Sequence, residues 1–362
     1  MLSSTPTPPT KSPSNSTPPR ASPCGRTSTA SSSSRRGQYP GPHSTPLLAA
    51  GVVVVAGVRG HVRALDWATG KLVWQRDLVA DFGAVLPQSG YAASPLLAGT
   101  SVVLPAMGSV QAAETEFFGR PPDRPGGPGA VALDVATGNT VWQTEDFRSS
   151  HASPIAISVG GTPVLLFHGM FELVGVDPTG GGVLFRHLLR REAADNVSFT
   201  PLWDASRSQA IVSHGYRQAG AQAIGVARES GRWRHQTHWQ NRQLGCVETN
   251  ATLVGDSVVG TGRAPRLVVI DPATGRTTLR RRLPAEANFI ALGPQLIGLD
   301  QKGGLFSGSV TATSDPPQWQ PAWRRPALAE PAWTAPSIIG RTLLVRNATE
   351  LQAWLLPAHS DF

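Results

Sequence analysis

The chain has 362 residues, a net charge of +8, only 15% charged side chains, and 38 Gly, 32 Pro and 10 Trp. That length admits two ordinary domains or one large repeat domain, and a composition so rich in turn formers excludes a helical bundle in favour of short strands. Nucleic-acid binding is not expected: five of the eight net positive charges precede residue 59, lysine occurs only at Lys11, Lys71 and Lys302, and an arginine-rich composition explains the charge better than phosphate binding, which would want a clustered face.

Residues 1–38 are Ser, Thr, Pro and Arg with almost no large apolar side chain. Such a segment cannot bury enough surface to offset its ordering entropy, so residues 1–42 are expected to form a disordered leader. Arg35-Arg36 followed by "PLLAAGVVVVAGV" (46–58) imitates an export signal. The pattern returns as "SPLLAGTSVVL" (94–104), where no export signal would sit, and no small-residue cleavage site follows Val58. The run is also too short to span a membrane, so Val52–Val55 reads as a buried strand. Two cysteines, Cys24 and Cys246, make neither a disulfide framework nor a metal cluster.

From residue 63 the chain repeats itself. "RALDWATGKLVW" (63–74) returns as "VALDVATGNTVW" (131–142), then as "VGVDPTGGGVLF" ending at Phe185, "IGVARESGRW" ending at Trp233 and "VVIDPATGRTTL" ending at Leu279. Asp66 to Trp74, Asp134 to Trp142, Asp177 to Phe185 and Asp271 to Leu279 are each eight apart; the fourth copy carries Ala227 in place of the Asp. Asp accepts backbone N–H bonds at the start of a turn, and Gly70, Gly138 and Gly275 supply the positive φ that closes it. The bulky residue then lies on the outer strand, facing the next sheet. A second column, Thr45-Pro46, Ser94-Pro95, Ser153-Pro154, Thr200-Pro201 and Ala335-Pro336, opens an apolar strand where the missing N–H of proline is tolerated. Each unit therefore reads as a four-stranded antiparallel meander. Asp134 to Asp177 spans 43 residues and Ala227 to Asp271 spans 44, the length of one propeller blade. Weaker units at 287–328 and 332–357 bring the count to seven.

These residues resemble the quinoprotein-type, or PQQ-like, repeat of β-propellers, ALD-x-x-TG-x-x-x-W, over roughly residues 43–357, with 358–362 as a tail. The order of "GYAASPLL", "HASPIAISVGGTPVLL" and "NVSFTPLW" is similar to bacterial envelope propellers related to BamB-type outer-membrane assembly factors. The resemblance implies an all-β propeller of about eight blades behind an export signal. Here seven are counted and Ser/Pro/Arg sequence stands at the start, which points to a truncated or misread N-terminus. It further implies a non-catalytic scaffold for protein partners in the periplasm or cell envelope; with no export signal visible, a cytoplasmic location stays open. Two alternatives remain beside it: a quinoprotein dehydrogenase, and a polysaccharide or small-ligand binder using the central channel. The dehydrogenases resemble longer chains with a calcium site, an Asp base and often adjacent cysteines. This chain has no adjacent cysteines and no acidic cluster suited to calcium, so no catalytic residue, no metal ligand and no cofactor, neither pyrroloquinoline quinone nor calcium, is expected.

The remaining polar residues divide by position. Tyr91, His151, Asn196, Glu248, Asn250 and Trp333 fall where innermost strands begin, which in a propeller rims the channel; they serve either strand-start chemistry or ligand contact. His235 and His238 in "HQTHW" are three apart but stand on a strand or loop; Glu229 and Glu248 lie nearby but no Cys or third His does, so surface histidines are favoured over a metal site. The long insert at 105–130 carries Phe117 and Phe118, either an anchor for a partner or a pin for the loop. The last unit stops after three strands, and "RTSTASSSSRR" offers no alternating apolar face. The expectation is imperfect closure: a three-stranded last sheet whose edge, open or loosely covered, favours dimerisation or aggregation.

Overall fold

The repeated turn is held by its own side chains. The Asp66 carboxylate accepts the Thr69 amide at 2.7 Å and the Thr69 hydroxyl at 2.6 Å, while the Gly70 amide donates to the Asp66 carbonyl at 2.8 Å. These donors, the Thr69 hydroxyl foremost, hold the Asp66 carboxyl below the usual carboxylate range. Asp134, Thr137 and Gly138 repeat the arrangement, and Asp271 accepts the Thr274 hydroxyl at 2.6 Å. The threonine of the repeat is thus a second ligand of the aspartate, a role the bare spacing does not disclose.

After the turn comes a β-bulge. Leu65 pairs with Leu72 but Ala64 pairs with Trp74, so Val73 is an extra residue on the outer strand. The same shift occurs beside Ala132 and Trp142, Gly175 and Phe185, and Val269 and Leu279. Because side chains alternate across a strand, one extra residue turns the large side chain to the other face of the sheet. The eight-residue spacing therefore encodes a turn plus a bulge.

The computed structural model describes residues 10–11, 43–86, 90–106, 127–145, 147–190, 197–214, 220–246, 249–262, 265–311 and 318–356. Its fold is all-β: seven four-stranded antiparallel sheets, the blades of a β-propeller, at 47–77, 96–143, 155–188, 202–241, 252–282, 287–326 and 337–355. Two compact units divide the chain, one holding residues 22–218 and 224–238, the other 1–21, 219–223 and 239–362. In the first unit the apolar cores lie between successive blades, with Val54, Val62, Trp74, Val102 and Leu133 in one and Trp142, Leu165, Phe167 and Val174 in the next. In the second unit Val259, Leu267, Leu279, Leu296 and Phe306 form such a layer, and Leu299, Leu343 and Trp354 another.

Tryptophan joins blade to blade. Trp74 Nε1 donates to the Val135 carbonyl at 2.9 Å, Trp142 Nε1 to Pro178 at 3.0 Å and Trp239 Nε1 to Pro272 at 2.8 Å, each time in the repeat turn of the following blade. The indole lies over a turn glycine: a Cβ at Gly138 would stand 2.7 Å from Trp74, at Gly181 2.6 Å from Trp142, and at Gly275 2.5 Å from Trp239. Arg76 and Asn241, two residues beyond their tryptophans, donate to the carbonyls of Gly138 and Gly275.

Three details differ from the sequence reading. In the fourth blade Trp239, not Trp233, takes the tryptophan's place. Ser230 and Gly231, both at positive φ, make a two-residue turn that replaces the longer one, and both flanking strands run to ten residues. A five-residue helix, Leu78–Phe82, follows the first blade, capped by Asp77, which accepts the amides of Val79 and Ala80. Finally, the last sheet is not three-stranded: Thr10–Lys11 pairs with Leu355 and Trp354 as its fourth strand. Backbone pairing at an edge needs an extended segment, not an apolar face, and Pro9 and Pro13 confine a ladder at this place to the residues between them. The rest of the leader, and Phe117 and Phe118, lie outside the described residues.

Substitution of two turn glycines separates packing from backbone strain. Gly138 (φ 72) lies against Trp74, whereas Gly51 (φ 78) has open space around its Cβ position. Gly51→Ala is expected to cost about 1–2 kcal/mol for the left-handed backbone, and Gly138→Ala about 1–3 kcal/mol more for displacing the indole. Urea unfolding of the two variants measures the difference; equal midpoints would refute the docking argument.

Candidate functional site

The residues that open each innermost strand are tied sideways from blade to blade. In the first unit the Thr45 amide donates to Ser94 Oγ at 2.9 Å, and the Ser94 amide to Ser153 Oγ at 2.9 Å. The hydroxyl of the Ser/Thr-Pro column is therefore an acceptor for the preceding blade. In the second unit the exposed Asn250 amide donates to Asn288 Oδ1 at 3.3 Å, and Asn288 Nδ2 donates to the Trp333 carbonyl at 2.9 Å. Asn288 thus brings together two of the candidate rim residues, Asn250 and Trp333, and leaves the Trp333 ring 37% exposed.

The other candidates separate. Tyr91 is fully buried in the core between the first two blades, its hydroxyl without a partner among the described residues; burial pushes its phenol above the ordinary tyrosine range. His151 is also buried, and burial, with His43 nearby, lowers its imidazole to about 4. Asn196 and Glu248 lie outside the described residues.

Beside His151 the structure gathers a cluster that the sequence reading missed. Ser150 Oγ donates to the His168 carbonyl. His168 Nδ1 lies 2.9 Å from the Phe199 carbonyl, which can only accept, so the proton sits on Nδ1 and Nε2 presents its lone pair. Arg190 fills that direction: its Nη2 is 3.2 Å from His168 Nε2 and 3.5 Å from His214 Nδ1, and its Nη1 donates to the Met170 carbonyl at 2.6 Å. Burial, then the Arg190 charge, hold His168 well below the ordinary imidazole value. His168 and His214 end the second strands of consecutive blades, and the sequence marks them with a recurring His-Gly, "HGM" at 168–170 and "HGY" at 214–216.

The profile described as outer membrane protein assembly factor BamB matches residues 25–278. The chain belongs to that family. A comparison with the curated proteins finds no match. Among solved structures, BamB from Moraxella catarrhalis is similar with a TM-score of 0.58 at 17% identity, covering 84% of this chain and 82% of that one. That likeness speaks for the fold. The computationally designed Ika8 protein aligns at TM-score 0.46 and 11% identity over 86% of this chain and 95% of that one. A europium-containing methanol dehydrogenase aligns at 0.40 and 12%, over 75% of this chain and 74% of that one.

In this BamB-family chain the two histidines of "HQTHW" have different partners. His235 Nδ1 meets His187 Nδ1 at 3.0 Å and its ring stacks on Phe185, whereas His238 Nδ1 meets Gln209 Oε1 at 3.0 Å. Both line a surface cleft of about 460 Å³ together with Arg207, Glu229 and Arg234. No three His, Cys, Asp or Glu side chains gather at metal-binding distance among the described residues.

The buried imidazoles fix the sign of a pH effect. His151 ionises at about 4 when folded, against about 6.5 when unfolded. The unfolded chain therefore takes up the proton first, so stability is full above pH 6.5 and is lost as the pH falls towards 4. His151 alone is expected to contribute a loss on the order of 3 kcal/mol over that window, and His151→Leu to flatten it. Denaturant unfolding at pH 7, 5.5 and 4.5 tests this; identical pH slopes in the two proteins would overturn it.

Proposed function

We propose that the protein is a non-catalytic protein-interaction scaffold of the bacterial cell envelope, engaged with other proteins in outer-membrane assembly. The observation that carries this reading is the match to the BamB family over residues 25–278. It is supported by how the recurring polar residues are engaged: Asp66, Asp134 and Asp271 accept hydrogen bonds inside their own turns, and the tryptophans hold blade to blade. Residues held in this way form a rigid frame, and the connections between strands are left to meet a partner. Among the described residues no helix is long and apolar enough to cross a membrane.

The same engagement argues against a quinone and calcium. The repeat carboxylates are occupied by amide and threonine donors, so they fit neither a calcium cage nor a general base.

The test has two arms. Tagged protein crosslinked in its native envelope is expected to capture an envelope protein, and the two purified components are expected to form a complex again in vitro. Addition of calcium and pyrroloquinoline quinone, with alcohols or sugars and a redox dye, is expected to give no turnover. A saturable absorbance change with a kcat of about 1 per second or more would replace the scaffold by an oxidoreductase. A thermal shift on a glycan panel without any protein partner would favour a carbohydrate binder instead.

A further inference from the structure

Buried or partly buried charge is compensated at other points of this chain. Asp300, fully buried, receives Arg324 and the amides of Lys302 and Gly304. Arg186 is paired with both Glu145 and Glu172. Arg190 departs from that pattern. It is 8% exposed, and its hydrogen-bonding partners are the Met170 carbonyl, His168 Nε2 and His214 Nδ1. The carbonyl is neutral, and so is His168, whose Nδ1 proton faces the Phe199 carbonyl. A guanidinium has five N–H donors, and the buried Nε–H of Arg190 has no acceptor among the described residues. Burial lowers the Arg190 pKa only to about 10, so the group is charged at neutral pH. A cation held away from water without an anion is strongly unfavourable, and an arriving anion recovers that energy.

We propose that Arg190 is the anchor of a carboxylate-binding site, with His168 and His214 holding the guanidinium in place and its buried Nε–H, which has no acceptor among the described residues, as the donor that the carboxylate would take up. The chemistry selects one negative charge. A planar carboxylate matches the guanidinium, whereas a phosphate dianion brings a second negative charge that one guanidinium leaves uncompensated. The ligand is either a small carboxylic acid or an acidic side chain of a protein partner; both offer the same group. The site stands apart from the scaffold reading, since a small acid would bind here whether or not a protein partner exists.

The experiment uses the full chain with 15N-labelled arginine. The Nε–H resonance of Arg190, assigned through bonds and checked by its loss in Arg190→Lys, is followed while acetate, inorganic phosphate or a peptide with one glutamate and an amidated end is added at constant ionic strength. The expected result is a saturable shift with acetate, half-complete at about 1–10 mM, weaker binding of phosphate, and at least tenfold weaker acetate binding in His168→Gln or His214→Gln. If the peptide binds at least tenfold tighter than acetate, the carboxylate is that of a protein; if not, that of a small acid. Three results overturn the proposal: a response to acetate no larger than to chloride, tighter binding of phosphate, or a response that emerges only in the Glu192→Gln, Asp195→Asn double variant, where a carboxylate of the chain itself was the occupant.

Discussion

The fold depends on an indole laid over the repeat turn of the next blade. Trp74, Trp142 and Trp239 each bury an apolar ring and satisfy their one N–H on a carbonyl of that turn. A single blade cannot bury its apolar faces alone and is stabilised by the blades stacked on either side. The indole closes the apolar layer between one blade and the next while fixing the distance between them, because a glycine, and only a glycine, lets the ring descend to the backbone. The turn aspartate and threonine complete the constraint by hydrogen-bonding the turn on which the neighbouring ring rests.

Closer to the innermost strands, the joints become polar. Thr45, Ser94 and Ser153 form a chain of amide-to-hydroxyl bonds, and Asn288 does the same work between Asn250 and Trp333 with an amide side chain. Backbone groups at strand starts lack ladder partners and must find some. The hydroxyl of the Ser/Thr-Pro pair supplies one, and proline removes the need for another. At the third and fourth blades, Arg190 and the imidazoles of His168 and His214 supply a charge that the frame itself does not require. That departure within a repeated architecture is what the proposed carboxylate site rests on.

Much of this was legible in the residues. The spacing of eight, the turn glycines and the apolar strands named the blades and their number because each depends on contacts within about ten residues of chain. The fourth blade was misread at Trp233, since the two-residue turn at Ser230 and Gly231 changes the count between the strands and with it the position of the ring. The fourth strand at Thr10–Lys11 was equally hidden. Edge pairing uses backbone groups that every residue has, so no side-chain pattern announces it.

The candidate site was legible only as a location. Strand starts are visible in the sequence, and so is the recurring His-Gly at 168–169 and 214–215. Whether such residues face water or one another is not. Tyr91 vanished into a core, whereas Asn250 and Trp333 were joined by Asn288. Residues close together along the chain determined the blade's turn and bulge, whereas its aromatic anchor is completed by the turn of the next blade. The tertiary structure alone decided the Arg190 cluster, because residues 168, 190, 199 and 214 come from separate strands and connections. Their chemistry exists only once two blades are packed and water has been excluded from between them.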